Sequence, residues 1–322
     1  MKKIAVIGYG YVGKAVANMF KDHYEVRIKD ECDYYVTKPD GSNEHFKFIP
    51  EKKHDREDYH DSSPYSSEEA FVWEKINACD LIVVCVPTPM GKDNRCDTSI
   101  VTDVVEHIYQ DKVILIKSTI APGTSDALQG QYKRRIVFSP EYAGESKYWS
   151  PYEFDTDMRA CPFVILGGHE KNTQFVLDII APVLGPTKSY YQVSALEAEI
   201  IKYAENAFYA LKVTYANELR CICENFGADF YKVRNCWLLD PRVNPMHTMA
   251  FPDNRGFGGK CFPKDVNAIV NASKDAGYRP RLLEEVLNSN ERFRAMNPDA
   301  EKISKIKKVV KKVTKRRRRK RK

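Results

Sequence analysis

Ten residues, Gly256 to Asp265 (GFGGKCFPKD), hold the most pointed chemistry in this 322-residue chain: a thiol set where a helix is about to begin. Proline suits the first turn of a helix, because the N–H it lacks is one of the donors left unbonded there. Pro263 is therefore expected to open a helix through VNAIVNASKDA that stops at Gly277. Cys261 then sits at the N-terminus, where unbonded backbone N–H groups and the positive end of the helix dipole favour thiolate over thiol. Lys264 adds a whole cation within one turn. The thiolate is the nucleophile, so Cys261 is the candidate for covalent chemistry and Lys264 for keeping it ionised. Gly256, Gly258 and Gly259 would let backbone approach a ligand with no side chain between. The plain alternative is a buried cysteine beside a flexible loop.

Something must bring a partner to that thiol, and the N-terminus shows what. KKIAVIG reads as a short apolar strand running into GYGYVG, where Gly8, Gly10 and Gly13 match GxGxxG. A helix through AVANMF follows, then strand EVRIKD, ending at Asp30, 20 residues past Gly10. This is a dinucleotide fingerprint in context: glycines for the turn and the pyrophosphate, helix N–H groups for phosphate, a carboxylate for ribose hydroxyls. Asp30 would repel a 2′-phosphate, which favours NAD over NADP, with Arg27 and Lys29 nearby as opposing cations.

Residues 33 to 66 are polar without a sustained period and are expected to form an irregular surface excursion. A helical SEEAFVWEKINA and strand DLIVVCV follow, stopped by Pro87-Thr88-Pro89. Next come a helix around Ile100 to Tyr109, strand KVILIKST ending at Thr119, another helix, strand RRIVFS, and CPFVILGG as one more strand. Strands alternating with helices predict an α/β fold, a Rossmann-type doubly wound parallel sheet. Ligands in such sheets lie beyond the carboxyl ends of the strands, the edge that Pro87, Thr119 and Glu141 occupy.

From Ser194 the texture changes to one helical run to Gly227, opened by a Ser194/Glu197 capping box. About 32 residues at 1.5 Å each make roughly 48 Å, enough to bridge two domains or to pair with a copy of itself. A helical central domain with one long helix, and a dimer, are expected. Lys202 and Asn206, four apart, share one face of it. The domains are placed at 1–190 (NAD-binding), 191–296 (substrate and dimerisation) and 297–322 (a disordered basic tail).

Composition bounds the rest. The net charge of +7 is misleading: residues 302–322 hold 14 of the 51 basic residues and no acid, leaving 37 basic against 44 acidic elsewhere. A tail this dense in charge repels itself and suits nucleic acid, an anionic surface or no specific partner at all. Nine scattered cysteines without a CxxC pair, and no signal peptide, read as a reduced, cytoplasmic protein with no metal site. No apolar run approaches the roughly 20 residues that cross a bilayer.

Together GYGYVG, VPTP (Val86 to Pro89), STIAPGT (Ser118 to Thr124), SPEYAGES (Ser139 to Ser146), EIIKYAENAF and GFGGKCFPKD resemble, in order, the UDP-glucose/GDP-mannose dehydrogenase family. The resemblance covers roughly residues 1 to 295. It implies NAD-dependent oxidation of a nucleotide sugar, UDP-glucose foremost, at C6 to the uronic acid through a Cys261 thiohemiacetal and thioester, as in polysaccharide biosynthesis. It assigns NAD contacts to Gly8, Gly10, Tyr11, Val12, Gly13, Asp30, Val86, Pro87, Thr88, Ser118 and Thr119. Lys202 and Asn206 match oxyanion stabilisers, and Asp265 with Thr119 a water-positioning pair in which Asp265 accepts the proton. Glu141 and Glu145 match carboxylates near the reacting carbon, Glu141 assisting thioester hydrolysis. Arg242 aligns with an arginine reaching sugar hydroxyls across a dimer, although a structural ion pair fits it too. Phe257, Gly258 and Gly259 would contact the nucleotide's base or ribose.

The sequence departs from that pattern in three places. Members usually continue with a second nucleotide-binding domain, whereas recognisable family sequence ends here near Met296. The nucleotide end of the site is then open to water, supplied by another chain or screened by the tail. The stretch after Asp30 lacks the expected apolar pattern, and Gly144 stands where a basic residue is common. The alternatives are a nucleotide-sugar-binding or scaffolding protein without catalysis, or a GDP-mannose or UDP-N-acetylmannosamine dehydrogenase.

Overall fold

A computed structural model of the protein describes residues 1–48, 67–142, 157–259 and 261–298. Gly144, Glu145 and the basic tail lie outside the described residues. The chain divides into two compact units, Met1–Lys202 and Tyr203–Lys322.

The first unit is a nine-stranded sheet in the order β4-β3-β2-β1-β5-β6-β7-β8-β9. Its strands are β1 (Lys3–Ile7), β2 (Glu25–Asp30), β3 (Asp33–Thr37), β4 (Asn43–Lys47), β5 (Leu81–Val84), β6 (Val113–Ile116), β7 (Arg135–Phe138), β8 (Phe163–Gly168) and β9 (Ser189–Val193). Strands β2, β1, β5, β6 and β7 run parallel. Strands β5 and β6 are apolar at every residue because both of their faces are buried. Leu81 and Val83 of β5 point to one side, with α1 (Tyr11–Phe20) and α5 (Glu170–Leu184). Ile82 and Val84 point to the other, with α2 (Ser67–Asn77), α3 (Ser99–His107) and α4 (Thr124–Tyr132). The expected doubly wound α/β architecture is therefore present.

Two details differ from the sequence reading. Residues 33–47 are a β-hairpin rather than an irregular excursion, extending the sheet antiparallel beyond β2. Tyr34 and Val36 alternate into the core at 3% and 7% exposure, while β4 is exposed along its length. The turn is an Asp-Gly one: Gly41 has φ 84°, and Asp40 accepts hydrogen bonds from the Ser42 N–H and hydroxyl at 2.8 and 2.6 Å. Strand β8 is the second difference, lying antiparallel to β7 instead of parallel. Among the described residues of the connection between them is a 3₁₀ turn, Met158–Ala160.

Helix α6 (Ala195–Asn225) is the long helix expected, and Ser194 and Glu197 form its capping box reciprocally at 2.7 and 3.2 Å. Its first residues belong to the first unit, where buried Glu199 accepts the N–H groups of Gly123 and Ser125 at the start of α4. Burial raises the pKa of that carboxyl, and the backbone donors oppose the rise. The second unit holds the rest of α6 with α7 (Phe230–Trp237), α8 (Phe262–Asp275) and α9 (Arg281–Ala295). Ala207, Ala210, Val266, Val270, Val286 and Phe257 make its core. No described helix is long and apolar enough to cross a membrane.

Candidate active site

The turn from β1 into α1 makes a cradle for a dinucleotide. Gly8, at φ 88°, donates to the Lys29 carbonyl at 2.8 Å, and a Cβ on it would lie 2.8 Å from the Cys85 carbonyl oxygen. A Cβ on Gly13 would lie 1.9 Å from the Gly8 oxygen, so only glycine lets α1 close on the turn. Gly10, the N-cap, has nothing within 4 Å of its Cβ position. That is the open approach to helix N–H groups a pyrophosphate needs. Tyr11 is 40% exposed at the first turn of α1 and Val12 half-buried. Asp30 closes β2 and accepts the Tyr9 N–H at 3.1 Å.

The two cations near Asp30 are engaged elsewhere. Arg27 pairs with Glu25 at 2.7 Å and donates to the Lys75 carbonyl at 2.7 Å. Lys29 is buried against the rings of Phe48 and Trp73, with Glu69 at 3.6 Å, and desolvation lowers its pKa. Neither is left to meet a 2′-phosphate, so the residues fit NAD. Asp30→Ser is expected to weaken NAD+ binding about tenfold or more, the loss of a charge-assisted hydrogen bond to ribose, as read by calorimetric titration. At the neighbouring strand end, Ser118 donates to the Val86 carbonyl at 2.7 Å and ties the exits of β5 and β6 together. Val86, Thr88 and Ser118 are buried, Pro87 exposed and Thr119 half-buried.

The first unit brings a second group together beyond β6 and β7. Lys202 donates to the Glu141 carbonyl at 2.6 Å and lies over the Tyr142 ring at 5.4 Å. The Glu141 carboxylate lies 3.2 Å from Lys117 Nζ and accepts the Tyr142 N–H at 2.9 Å. The sequence reading missed Lys117. Its signal was a lone lysine directly after the apolar, fully buried strand VILI.

In the second unit Cys261 is exposed and N-caps α8, its carbonyl accepting the Asp265 N–H at 2.8 Å as the first helical bond. Pro263 stands in the first turn, as expected, and the helix gives way to Gly277 at φ 90°. Asp265 is 2% exposed and accepts from the Asn206 amide at 2.5 Å. Lys264 Nζ lies 2.6 Å from the other Asp265 oxygen without hydrogen-bond alignment, so its charge is matched by that carboxylate. Cys79 and Cys85 contrast with Cys261: burial pushes both thiols up to about 12, which leaves them protonated.

The loop leading to the thiol is held by asparagines that sequence reasoning did not single out. Asn290 of α9 accepts the Phe257 N–H at 2.6 Å and donates to its carbonyl at 3.1 Å. Asn297 holds both backbone groups of Arg255 in the same way, at 2.5 and 3.2 Å, and Asn217 of α6 accepts the Gly256 N–H at 3.1 Å. Phe257 itself is 4% exposed and packs in the core, so its ring is turned away from solvent while Gly258 and Gly259 are exposed. Asn290→Ala strands two buried backbone groups, and a loss of about 2–4 kcal/mol is expected in urea denaturation. Arg242 is 87% exposed and forked onto Asp240 at 2.6 and 2.9 Å, a local ion pair.

Comparison with known proteins agrees with this geometry. Residues 2–182 match the NAD binding domain, and residues 196–292 the central domain, of the UDP-glucose/GDP-mannose dehydrogenase family. The UDP-glucose 6-dehydrogenases TuaD and YwqF of Bacillus subtilis are 32% and 31% identical over 91% and 68% of this chain, and over 64% and 50% of their own lengths. The chain thus spans about half to two thirds of the length of the curated relatives it matches. In fold it is similar to a UDP-glucose dehydrogenase of Pyrobaculum islandicum, with a TM-score of 0.68 at 24% identity, covering 91% of this chain and 68% of that one. With both domain models matched along most of its length, the chain belongs to the UDP-glucose/GDP-mannose dehydrogenase family and carries its NAD-binding domain.

Proposed function

We propose that this protein oxidises the C6 alcohol of a nucleotide sugar, UDP-glucose foremost, to the carboxylate by two successive hydride transfers. The observation that carries this reading is Cys261, an exposed cysteine at the N-cap position of α8 with the buried Asp265–Asn206 pair one turn further on. NAD+ supplies a hydride acceptor, once for each oxidation. In the first, Asp265, with Thr119 helping to place a water, accepts the alcohol proton as the aldehyde forms. Cys261 then adds to the aldehyde, forming a C–S bond and a thiohemiacetal that is again a hydride donor. Loss of the second hydride and the hydroxyl proton leaves a thioester. Water adds to it, the C–S bond breaks, and the products are the uronate and the free thiol. Lys202 and Asn206 stabilise the negative charge that each tetrahedral stage places on the former C6 oxygen.

The test is incubation with NAD+ and a panel of nucleotide sugars, counting NADH per product. Two NADH per sugar are expected, and one NADH with free aldehyde sinks the reading. Calorimetric binding of the sugar without any NADH favours the non-catalytic alternative.

The reading includes a homodimer through α6. Phe208, Tyr215 and Ile222 recur every seventh residue and are 57%, 51% and 48% exposed, an apolar stripe of the kind that pairs helices. The triple change of these residues to glutamate is expected to convert a dimer to a monomer in analytical ultracentrifugation. A wild-type chain that sediments as a monomer would refute it.

A further inference from the structure

The hairpin of β3 and β4 fills the stretch where the sequence leaves the family pattern, and it adjoins the dinucleotide cradle. Tyr9 stands between Gly8 and Gly10 in the turn from β1 to α1, so its side chain is the handle by which that part of the turn can be gripped. The Tyr9 N–H donates to Asp30 Oδ1 at 3.1 Å. Its half-buried ring lies 5.7 Å from the ring of Tyr35, at an interplanar angle of 36°. Tyr35 is stacked in turn on His45, directly opposite on β4, at 4.4 Å and 8°. His45 Nε2 lies 2.7 Å from Asp33 Oδ1. Asp33 is the register partner of Asp30 across the turn Glu31-Cys32, in which Glu31 takes φ 32°. One row of rings, Tyr9, Tyr35 and His45, thus ties the glycine turn to the hairpin, and the turn from β2 to β3 leads back to Asp30.

We infer that Tyr35 is a positioning residue for NAD: braced by His45, its ring fixes Tyr9, and Tyr9 holds the Asp30 carboxylate in the orientation that accepts the 2′-hydroxyl of the adenosine ribose. That ribose contact is the one the glycine fingerprint assigns to Asp30, and the brace depends on it. A carboxylate at a strand end turns about two side-chain torsions, and a backbone donor on one oxygen selects among them only if the donor is itself fixed. A Gly-Tyr-Gly turn has little restraint of its own, because glycine populates positive and negative φ about equally. The restraint comes from the rings. Tyr9 and Tyr35 both pack against the core on the α1 side of the sheet, which ties the row to a rigid layer. Tilted and stacked ring pairs at these separations attract beyond their buried area, and the opposition of Tyr35 and His45 on the ladder sets their register. Tyr35 acts at one remove, through Tyr9 and Asp30. Its loss therefore removes discrimination at one hydroxyl rather than cofactor binding as a whole.

Calorimetric titration of NAD+ and of its 2′-deoxyadenosine analogue into the full chain tests this without requiring turnover. The wild-type protein is expected to bind NAD+ about tenfold more tightly than the analogue, the difference a charge-assisted hydrogen bond makes. Tyr35→Ala is expected to lower NAD+ affinity about fivefold and to leave that of the analogue nearly unchanged, so the ratio falls to about two. Tyr35→Phe keeps the ring and is expected to restore the wild-type ratio. A Y35A protein that loses the same factor for both ligands, or for neither, overturns the positioning role. So does a ratio that Y35F fails to restore. Should Y35A fail to fold, His45→Ala, at an exposed residue, removes the stack from the other side. A lowered ratio is then expected in H45A, and a wild-type ratio overturns the role. A wild-type protein that binds NAD+ and the analogue alike defeats the ribose contact of Asp30 itself, and the brace with it, a result distinct from any of these.

Discussion

Cys261→Ser is expected to lower turnover by about 10³-fold or more, because a weakly nucleophilic hydroxyl replaces the thiol on which the proposed second oxidation depends. The thiol stands where α8 leaves N–H groups without helical partners, and the helix field favours an anion there. A serine hydroxyl titrates far too high to profit from that field. The measurement is NADH release over a single turnover and in the steady state, together with free aldehyde trapped by a hydrazine. Alkylation gives an independent check: Cys261, exposed, reacts with iodoacetamide, while Cys79 and Cys85, whose thiols burial holds near about 12, are protected. Wild-type turnover by the serine variant would remove the covalent mechanism altogether.

Lys202→Met is the second large effect, with a loss of about 10² to 10³ in kcat and little change in NAD+ affinity. Methionine preserves most of the buried volume, so packing alone does not account for such a loss. What disappears is a buried cation, held 2.6 Å from the Glu141 carbonyl and 9% exposed, which in the proposed reaction would need no reorganisation as charge develops on the sugar oxygen. Lys202→Arg is expected to recover little, since a planar guanidinium fork differs in size and donor geometry from a compact ammonium. A kcat within threefold of wild type, or an equal loss in cofactor binding, would exclude the oxyanion role.

How much of this was legible from the chain depends on range. The hairpin of residues 33–47 is instructive: its polar composition suggested a loop, yet the alternation of Tyr34 and Val36 and the Asp40-Gly41 turn were both present. A short edge hairpin buries only one face, so composition understates it. The antiparallel β8 was not legible, because strand direction depends on the connection and not on the strand's own residues. Arg27 and Lys29 looked equally available beside Asp30; only their partners Glu25 and Glu69 decide that neither is.

By itself the amino-acid sequence determined what is settled within one or two turns. Those features are the glycine turn ahead of α1, the Ser194–Glu197 box that starts α6 and the proline that places Cys261 at a helix end. Each rests on neighbours three or four residues away, where backbone geometry leaves little choice. The tertiary structure alone decided that Lys117 and Lys202 converge on Glu141, that Asn206 meets Asp265, and that Asn290 and Asn297 grip the loop before the thiol. Partners of these groups lie 24 to 61 residues away in the chain. Which of many possible buried pairs forms is fixed by how strands and helices pack, since an ionised or polar side chain can be buried only where that packing supplies its counterpart.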